Sequence, residues 1–357
     1  MYHTTELKPD STTKKPIYTK EGLYDFLSTT IPRPHPHTAE SYAALSPARR
    51  ATYDKARLRY INGGILVTTA DLLNAQKNIV QLSAESVGEQ DDHYGLMFSG
   101  DPALGKTTIT KALMRYAHTK YLSERPNYDT HRFTPVVYIV VPTACTPKSL
   151  MEAFAYFFGM TVGTTETADR LKRRVVDVLN ASHTQLVVVD DLQNLGAANR
   201  GSGRAADVMR QVHHSVQSTF IYAGVDLRKN AIFDGVLGQQ LLRRYKTSEI
   251  SSFNMSNPQD MADWGGIIAQ FEANLLLHDH VRGTLPAMAS YLHDRTGGHL
   301  GSLKKLLTGT AVGIINDAKK PLEAVTRERL AAYTLDDAAE TYYAERLITL
   351  AFKKAAA

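Results

Sequence analysis

Gly100-Asp101-Pro102-Ala103-Leu104-Gly105-Lys106-Thr107 sets two glycines with four residues between them and follows the second with a lysine and a hydroxyl. That order suits one kind of chemistry. Glycine lets the backbone curl until successive N–H groups point inward, where they can meet phosphate oxygens. Lys106 then reaches the β- and γ-phosphates of a nucleoside triphosphate, and the Thr107 hydroxyl becomes a ligand of the Mg2+ that bridges them. Thr108 extends the binding stretch. The bland alternative is a glycine turn at a helix start. Context favours phosphate: Tyr94-Gly-Leu-Met-Phe98 can supply a buried strand before the loop, and Ile109, Ala112, Leu113 and Tyr116 recur at helical spacing after it. The helix N-terminus would add partial positive charge.

A second set of chemical groups closes the apolar run Val187-Val-Val-Asp190-Asp191. Strand-end carboxylates hold a metal shell and orient attacking water, so Asp190 is expected at Mg2+ and Asp191 as base or water-positioning group. The alternative is a helix N-cap beyond a strand. Gln193 and Asn194 either sense the γ-phosphate or, on the favoured reading, form turn hydrogen bonds. In Ala223-Gly-Val-Asp226, Asp226 is the nearest candidate for a polar sensor, although a carboxylate beside a γ-phosphate is repelled unless a cation intervenes. Arg244, and after it Arg243, could neutralise transition-state charge with planar, permanently charged donors. An ordinary surface arginine pair is the alternative.

Elements to position these groups are legible around them. Val136-Val-Tyr-Ile-Val-Val141, bounded by prolines, reads as a fully buried parallel strand with a helix over 147–158 behind it. A helix over 169–179, a strand over 185–190, a helix over 204–216 and the strand Thr219-Phe-Ile-Tyr-Ala-Gly224 continue the alternation. This predicts an α/β fold with a doubly wound parallel sheet and a ligand at the strands' carboxyl ends. Beyond Asn257 only helices are predicted, over 260–277, 285–296, 300–318 and 326–333, with Gly283, Gly297, Gly298 and Pro321 as punctuation. The expected organisation is a flexible N-terminal arm (1–45), a helical extension (46–90), an α/β core (91–255), a small all-helical lid (256–335) and a C-terminal tail (336–357). Within the arm, Leu23, Tyr24, Phe26 and Leu27 can form one short docking helix. Thr68-Thr-Ala-Asp71 has capping-box spacing with Asp in place of Glu.

Composition narrows the class. A single cysteine, Cys145, excludes intramolecular disulfides and cysteine-based zinc clusters, which suits a reducing interior. The N-terminus lacks the apolar core of a signal peptide, and no run approaches the roughly 18 apolar residues of a membrane span, so a cytoplasmic location without a membrane partner is expected. Net charge is +5 and the pI near 9.0, which mildly favours a polyanionic partner. A helix over 46–60 carries Arg49, Arg50, Lys55, Arg57 and Arg59 and is a candidate nucleic-acid contact; the alternative is a solvated face with Tyr53 and Leu58 packed inward.

Residues 45–335 together resemble the AAA+ transposition regulators of the TniB, TnsC and MuB group, most closely TniB. The likeness rests on the loop 100–108, the proline-bounded strand 136–142 with its helix, Leu186-Val-Val-Val-Asp-Asp-Leu-Gln-Asn-Leu195, Leu242-Arg-Arg-Tyr245 and Gly297-Gly-His-Leu-Gly-Ser-Leu303. It implies an AAA+ P-loop NTPase fold, ATP and Mg2+ as cofactors, and homo-oligomeric rings or helical filaments along double-stranded DNA. It also implies a bacterial, nucleoid-associated protein that delivers a target to a DDE transposase or integrase. Arg244 or Arg243 would then act across a subunit boundary. Departures are Asp191 where Glu is usual, Gln193 where His is frequent, and the missing polar sensor residue; the segment 296–304 holds no arginine where a second sensor arginine is common, and His299 or Lys304 could substitute, although a packed helix start with solvated Lys304 and Lys305 is the favoured reading. Candidate phosphate-backbone contacts are Lys148, Arg170, Lys172, Arg173 and Arg174, with a solvated charged face as the alternative.

Rival functions share parts of this pattern. A replication initiator or helicase loader has the same core, but about 20 residues after 335 are too few for the winged-helix reader an initiator usually appends. A small-molecule P-loop kinase predicts no DNA stimulation and is disfavoured by the helical lid and Arg243-Arg244. A nucleotide-gated DNA scaffold with negligible catalysis fits the shorter Asp191.

Overall fold

Three short apolar runs form the middle of a sheet because each offers five residues that can be covered on both faces. The computed structural model describes residues 15–85, 94–125, 129, 132–195, 202–317 and 322–355. The strands are β1 (Gly95–Ser99), β2 (Val136–Val140), β3 (Leu186–Asp190), β4 (Thr219–Gly224) and β5 (Tyr245–Glu249), in spatial order β2-β3-β4-β1-β5. β2 runs parallel to β3 and β3 to β4, with Val137 opposite Val187 and Val187 opposite Phe220. Every residue of β3 is buried, the pattern of a strand covered on both sides. β5 was not expected. Its sequence, Tyr-Lys-Thr-Ser-Glu, buries only Tyr245, as an edge strand permits.

Helices before β1 are α1 (Lys20–Ser28), α2 (Ala39–Ala43), α3 (Pro47–Gly63) and α4 (Ala70–Glu85). Through the sheet run α5 (Lys106–Glu124), α6 (Pro147–Phe157), α7 (Ala168–Ala181), α8 (Ser202–Ser215) and α9 (Gly235–Arg243). The remainder are α10 (Pro258–Asn274), α11 (Thr284–Ala287), α12 (Ala289–Thr296), α13 (Leu300–Asn316), α14 (Arg327–Ala332) and α15 (Asp337–Ala355). Two of the expected segments are better ordered than an arm or a tail. In the arm, α1 starts on the Thr19 side chain, which accepts from Gly22 N, and buries Leu23; residues 1–14 lie outside the described ones. In the tail, α15 is tied to α12 by Arg295, which donates to both Glu340 oxygens at 2.8 and 3.0 Å, and by Arg346 Nε to Asp294 at 2.7 Å. The capping box at 68–71 also shifts by one residue: Thr69, not Thr68, accepts from Leu72 N.

The chain divides into two compact units that cut across the expected linear boundaries. One takes the described residues up to 29, with 81–97 and 110–246. It contains α1, α5 from Thr110 onward, α6 to α9 and most of the strand residues, and the only cysteine, Cys145, is buried in it. Burial pushes that thiol up to about 11, against a weaker opposing hydrogen bond with Ser149. The other unit takes 30–80, 98–109 and 247 onward. Its core packs Trp264, Ile268 and Phe271 of α10 with Leu303 and Leu307 of α13 and Ile61 of α3.

A buried cation anchors α3 in this second unit. Arg57, one of the cations expected to face nucleic acid, is fully buried: Nη1 and Nη2 donate to Glu323 at 2.6 and 2.8 Å, and Nε donates to Asp54 at 3.0 Å. The sequence pattern hid this because the partner lies 266 residues away. Burial alone would raise the Glu323 carboxyl, but hydrogen bonds from Arg57 and His278 outweigh it and hold it at about 2. A carboxyl depressed in this way stabilises the fold above its ordinary 4.5, and that stability is lost as pH falls toward about 2. Glu323→Gln leaves a buried guanidinium facing a neutral amide, and should cost about 3 kcal/mol in urea unfolding at pH 7. The variant should also lack the acid-linked loss that the unaltered chain shows between pH 4.5 and 2.

Candidate functional site

The loop 100–107 leaves β1 and enters α5 at Lys106, as its sequence predicts. Gly100 (φ +152°), Ala103 (φ +62°) and Gly105 (φ +103°) take positive φ angles, which curls the chain. A Cβ at Gly100 would stand 2.2 Å from the Ile250 carbonyl oxygen, so glycine is required there by packing as well as by curvature. Lys106 is almost fully buried, and its ammonium donates to the carbonyls of Gly100 and Asp101, both at 2.6 Å. The Ala103 carbonyl accepts from Gly301 N at 2.7 Å. The carbonyls of Gly100, Asp101, Ala103 and Gly105 are thus engaged within the unit, and the donors gathered at the loop are the Lys106 ammonium, the hydroxyl of exposed Thr107 and the N-terminus of α5. That donor set fits a polyphosphate and, through Thr107, a hard cation.

Beside the loop lies a small recess, partly open to solvent, lined by Val67, Asp71, Leu104, Thr108, Phe253 and Leu300 among others. Its walls are mainly apolar, with Asp71 as a polar exception whose carboxyl is raised by burial and by nearby Asp260 and Asp263. Sequence reasoning did not find it, because its walls come from segments separated by more than 200 residues with no shared motif.

The acid pair ends β3. Asp190 is buried, and its carboxylate accepts from the Tyr138 hydroxyl at 2.8 Å and from Asp191 N at 3.0 Å. Tyr138 was missed as a functional residue; a tyrosine inside an otherwise Val and Ile strand needs a hydroxyl partner, which was the available signal. Burial pushes the Tyr138 hydroxyl well above the usual tyrosine range, reinforced by Asp190, so it stays a donor. Asp191 is exposed and left-handed (φ 54°, ψ 37°), a conformation a short polar side chain tolerates at modest cost. Asn194 donates to the Val141 carbonyl, just beyond β2, at 2.9 Å.

Other candidates fare unevenly. Asp226 is also left-handed and points to solvent, 3.7 Å from Lys229, with 77% of its side chain exposed. Arg243 closes α9 and is exposed, while Arg244 is its half-buried C-cap, with its carbonyl accepting from Gly95 N at 3.1 Å. His299 turns Nδ1 back onto the carbonyls of Thr296 and Gly297 at 3.2 and 3.1 Å. Among the candidate DNA cations, Lys148 bonds the Thr164 carbonyl, Lys172 bonds Asp169 and Gln211, and Arg174 bonds Glu166. Arg170 and Arg173 are exposed on α7.

A parallel five-stranded sheet with a phosphate loop after β1, an acid pair after β3 and a helical C-terminal region is the architecture of an AAA+ ATPase. Residues 57–255 match the family model of the bacterial TniB protein, and the chain belongs to that family. Among solved structures it is similar to the ORC1 protein of Aeropyrum pernix in complex with DNA, at 14% identity and a TM-score of 0.52, over 86% of this chain and 67% of that one. It is also similar to the ORC2 protein of the same organism in its ADPNP–ADP complexes, at 13% identity and 0.50, over 80% of this chain and 67% of that one. Cdc6p of Pyrobaculum aerophilum matches at 14% identity and 0.50, over 73% and 66%. The chain thus spans about two thirds of each of these structures, and the likeness concerns fold. No curated protein matches it in sequence. Among the described residues, no helix is long and apolar enough to cross a membrane.

Lys106→Ala should remove a charged donor that no neighbour replaces, weakening binding of a fluorescent ATP analogue roughly a hundredfold. An unchanged dissociation constant would take the lysine out of the phosphate contact.

Proposed function

We propose that this chain is an ATP-dependent, sequence-nonspecific DNA-binding AAA+ ATPase that assembles on target DNA and recruits or activates a DDE transposase. Membership of the TniB family supports transposition as the setting. The observation that carries the nucleotide half is the phosphate loop itself: curled at Gly100, Ala103 and Gly105, charged by Lys106, and bonded through Ala103 to the start of α13. The β- and γ-phosphates would lie against Lys106 and the N–H groups of 100–108, with the base in the neighbouring apolar recess. Thr107 and Asp190 would hold Mg2+, which supplies charge neutralisation for phosphoryl transfer. Asp191 would orient the attacking water.

Because α13 is bonded to the loop, nucleotide occupancy would be felt by the helical region without a lid arginine. His299 is a weak sensor on this reading, since its Nδ1 is committed to its own turn. DNA would be held by backbone charge, with exposed Arg170 and Arg173 as first candidates and Lys148, Lys172 and Arg174 behind them because each already has a partner within its own unit. Asp226 is displaced as a sensor by its solvent-facing pose. Arg244, then Arg243, would act on the nucleotide of an adjoining subunit in a ring or filament. The likeness to ORC1, solved in complex with DNA, favours a second reading as a replication-initiator or loader ATPase.

The test is binding to an arbitrary duplex with and without a nonhydrolysable ATP analogue, imaged by negative stain. Nucleotide-dependent filaments or rings are expected, lost in Lys106→Ala and weakened steeply by salt. Equal coating of the duplex without nucleotide overturns the switch. Arg244→Ala should assemble but hydrolyse ATP at least tenfold more slowly at saturating protein. Stimulation of an adjoining DDE integrase, against stimulation of a replicative helicase, separates the two readings.

A further inference from the structure

Gln193 is bonded at both ends of its side-chain amide. Nε2 lies 3.1 Å from Asp191 Oδ1, and Oε1 accepts from Val225 N at 3.2 Å. The orientation of the amide follows from these partners, since a backbone N–H must face the oxygen and a carboxylate must face the NH2. Space for it comes from Gly224, where a Cβ would stand 2.4 Å from Gln193 Oε1. The turn that carries Gln193 is itself pinned: Leu192 is fully buried, its carbonyl accepts from Asn230 Nδ2 at 2.8 Å, and Asn194 reaches Val141. Asp226, the polar group expected at the end of β4, faces solvent instead.

We infer that Gln193 is a positioning residue for Asp191: anchored on the N–H that follows β4, it holds one oxygen of the Asp191 carboxylate and so supplies from the β3 turn the polar contact that β4 itself does not provide. The inference rests on the reading that Asp191 orients water for ATP hydrolysis. Occupying Oδ1 leaves Oδ2 for that water. It also ties the direction of the carboxylate to the end of β4, since any shift of the Val225 amide is passed on through one rigid planar group. Gln193 touches no phosphate on this account and acts only through Asp191.

Two variants of the full chain test this in the presence of duplex DNA. Gln193→Met keeps length and removes both hydrogen bonds; Gly224→Ala keeps Gln193 and Asp191 but displaces the amide. Each should lower kcat roughly ten- to a hundredfold with nucleotide affinity close to that of the unaltered chain; the thermal midpoint should hold in Gln193→Met and fall in Gly224→Ala, whose added methyl also meets buried Leu227 at 2.7 Å. Gln193→Met combined with Asp191→Asn should be no slower than Asp191→Asn alone. In 15N spectra, the Gln193 side-chain resonances, identified by their loss in Gln193→Met, should shift in Asp191→Ala. Turnover of Gln193→Met at the unaltered rate, or losses that multiply in the double variant, overturns the inference while leaving hydrolysis intact. Lack of turnover in the unaltered chain is the distinct result that overturns the hydrolysis reading, and Gln193 resonances unmoved in Asp191→Ala then overturn the clamp as well.

Discussion

The carbonyl of Ala103, thrown outward by a left-handed backbone, accepts a hydrogen bond from another backbone group, the N–H of Gly301, at 2.7 Å. Main chain meets main chain there, and a Cβ at Gly301 would stand 2.6 Å from that oxygen. On the other flank, Gly100 rests against the Ile250 carbonyl with no more room. The loop is therefore gripped by peptide groups from two later segments, which is why residues 98–109 cluster with the helical region and not with the strand they follow. A ligand-binding curl is costly in isolation, and these contacts over-determine it.

The candidate chemical groups follow two different strands. The loop after β1 contributes positive charge and donors, and the end of β3 contributes carboxylates, each bonded to a neighbour: Asp190 to Tyr138 of β2 and Asp191 to Gln193 of its own turn. Electrostatic catalysis works through such preorganisation, since groups already held in place need little rearrangement at the moment of reaction.

Much of this was legible because it is local. The phosphate loop, the two Val-rich strands and the helices after Asn257 announce themselves through glycine spacing and hydrophobic period, and β2, β3 and β4 sit within a residue of the expected positions. What escaped was non-local or polar. β5 is an edge strand whose residues alternate no apolar face, and α9 starts after a left-handed glycine in a stretch without a strong period. Met288 breaks one expected lid helix into α11 and α12. Arg57 read as a surface cation because its carboxylate partner is remote in sequence, and three of the five cations assigned to DNA proved to be held by residues nearby in space. Charge in a sequence names what a side chain can do, while burial decides what it is free to do.

The environment of Cys145 has a practical consequence. A thiol held at about 11 is ionised in roughly one molecule in ten thousand at neutral pH, and its burial keeps reagents away as well. The chain therefore presents no reactive sulfur of its own. A cysteine placed on an exposed helix could carry a fluorophore or cross-linker at a single known address, with the native interior untouched.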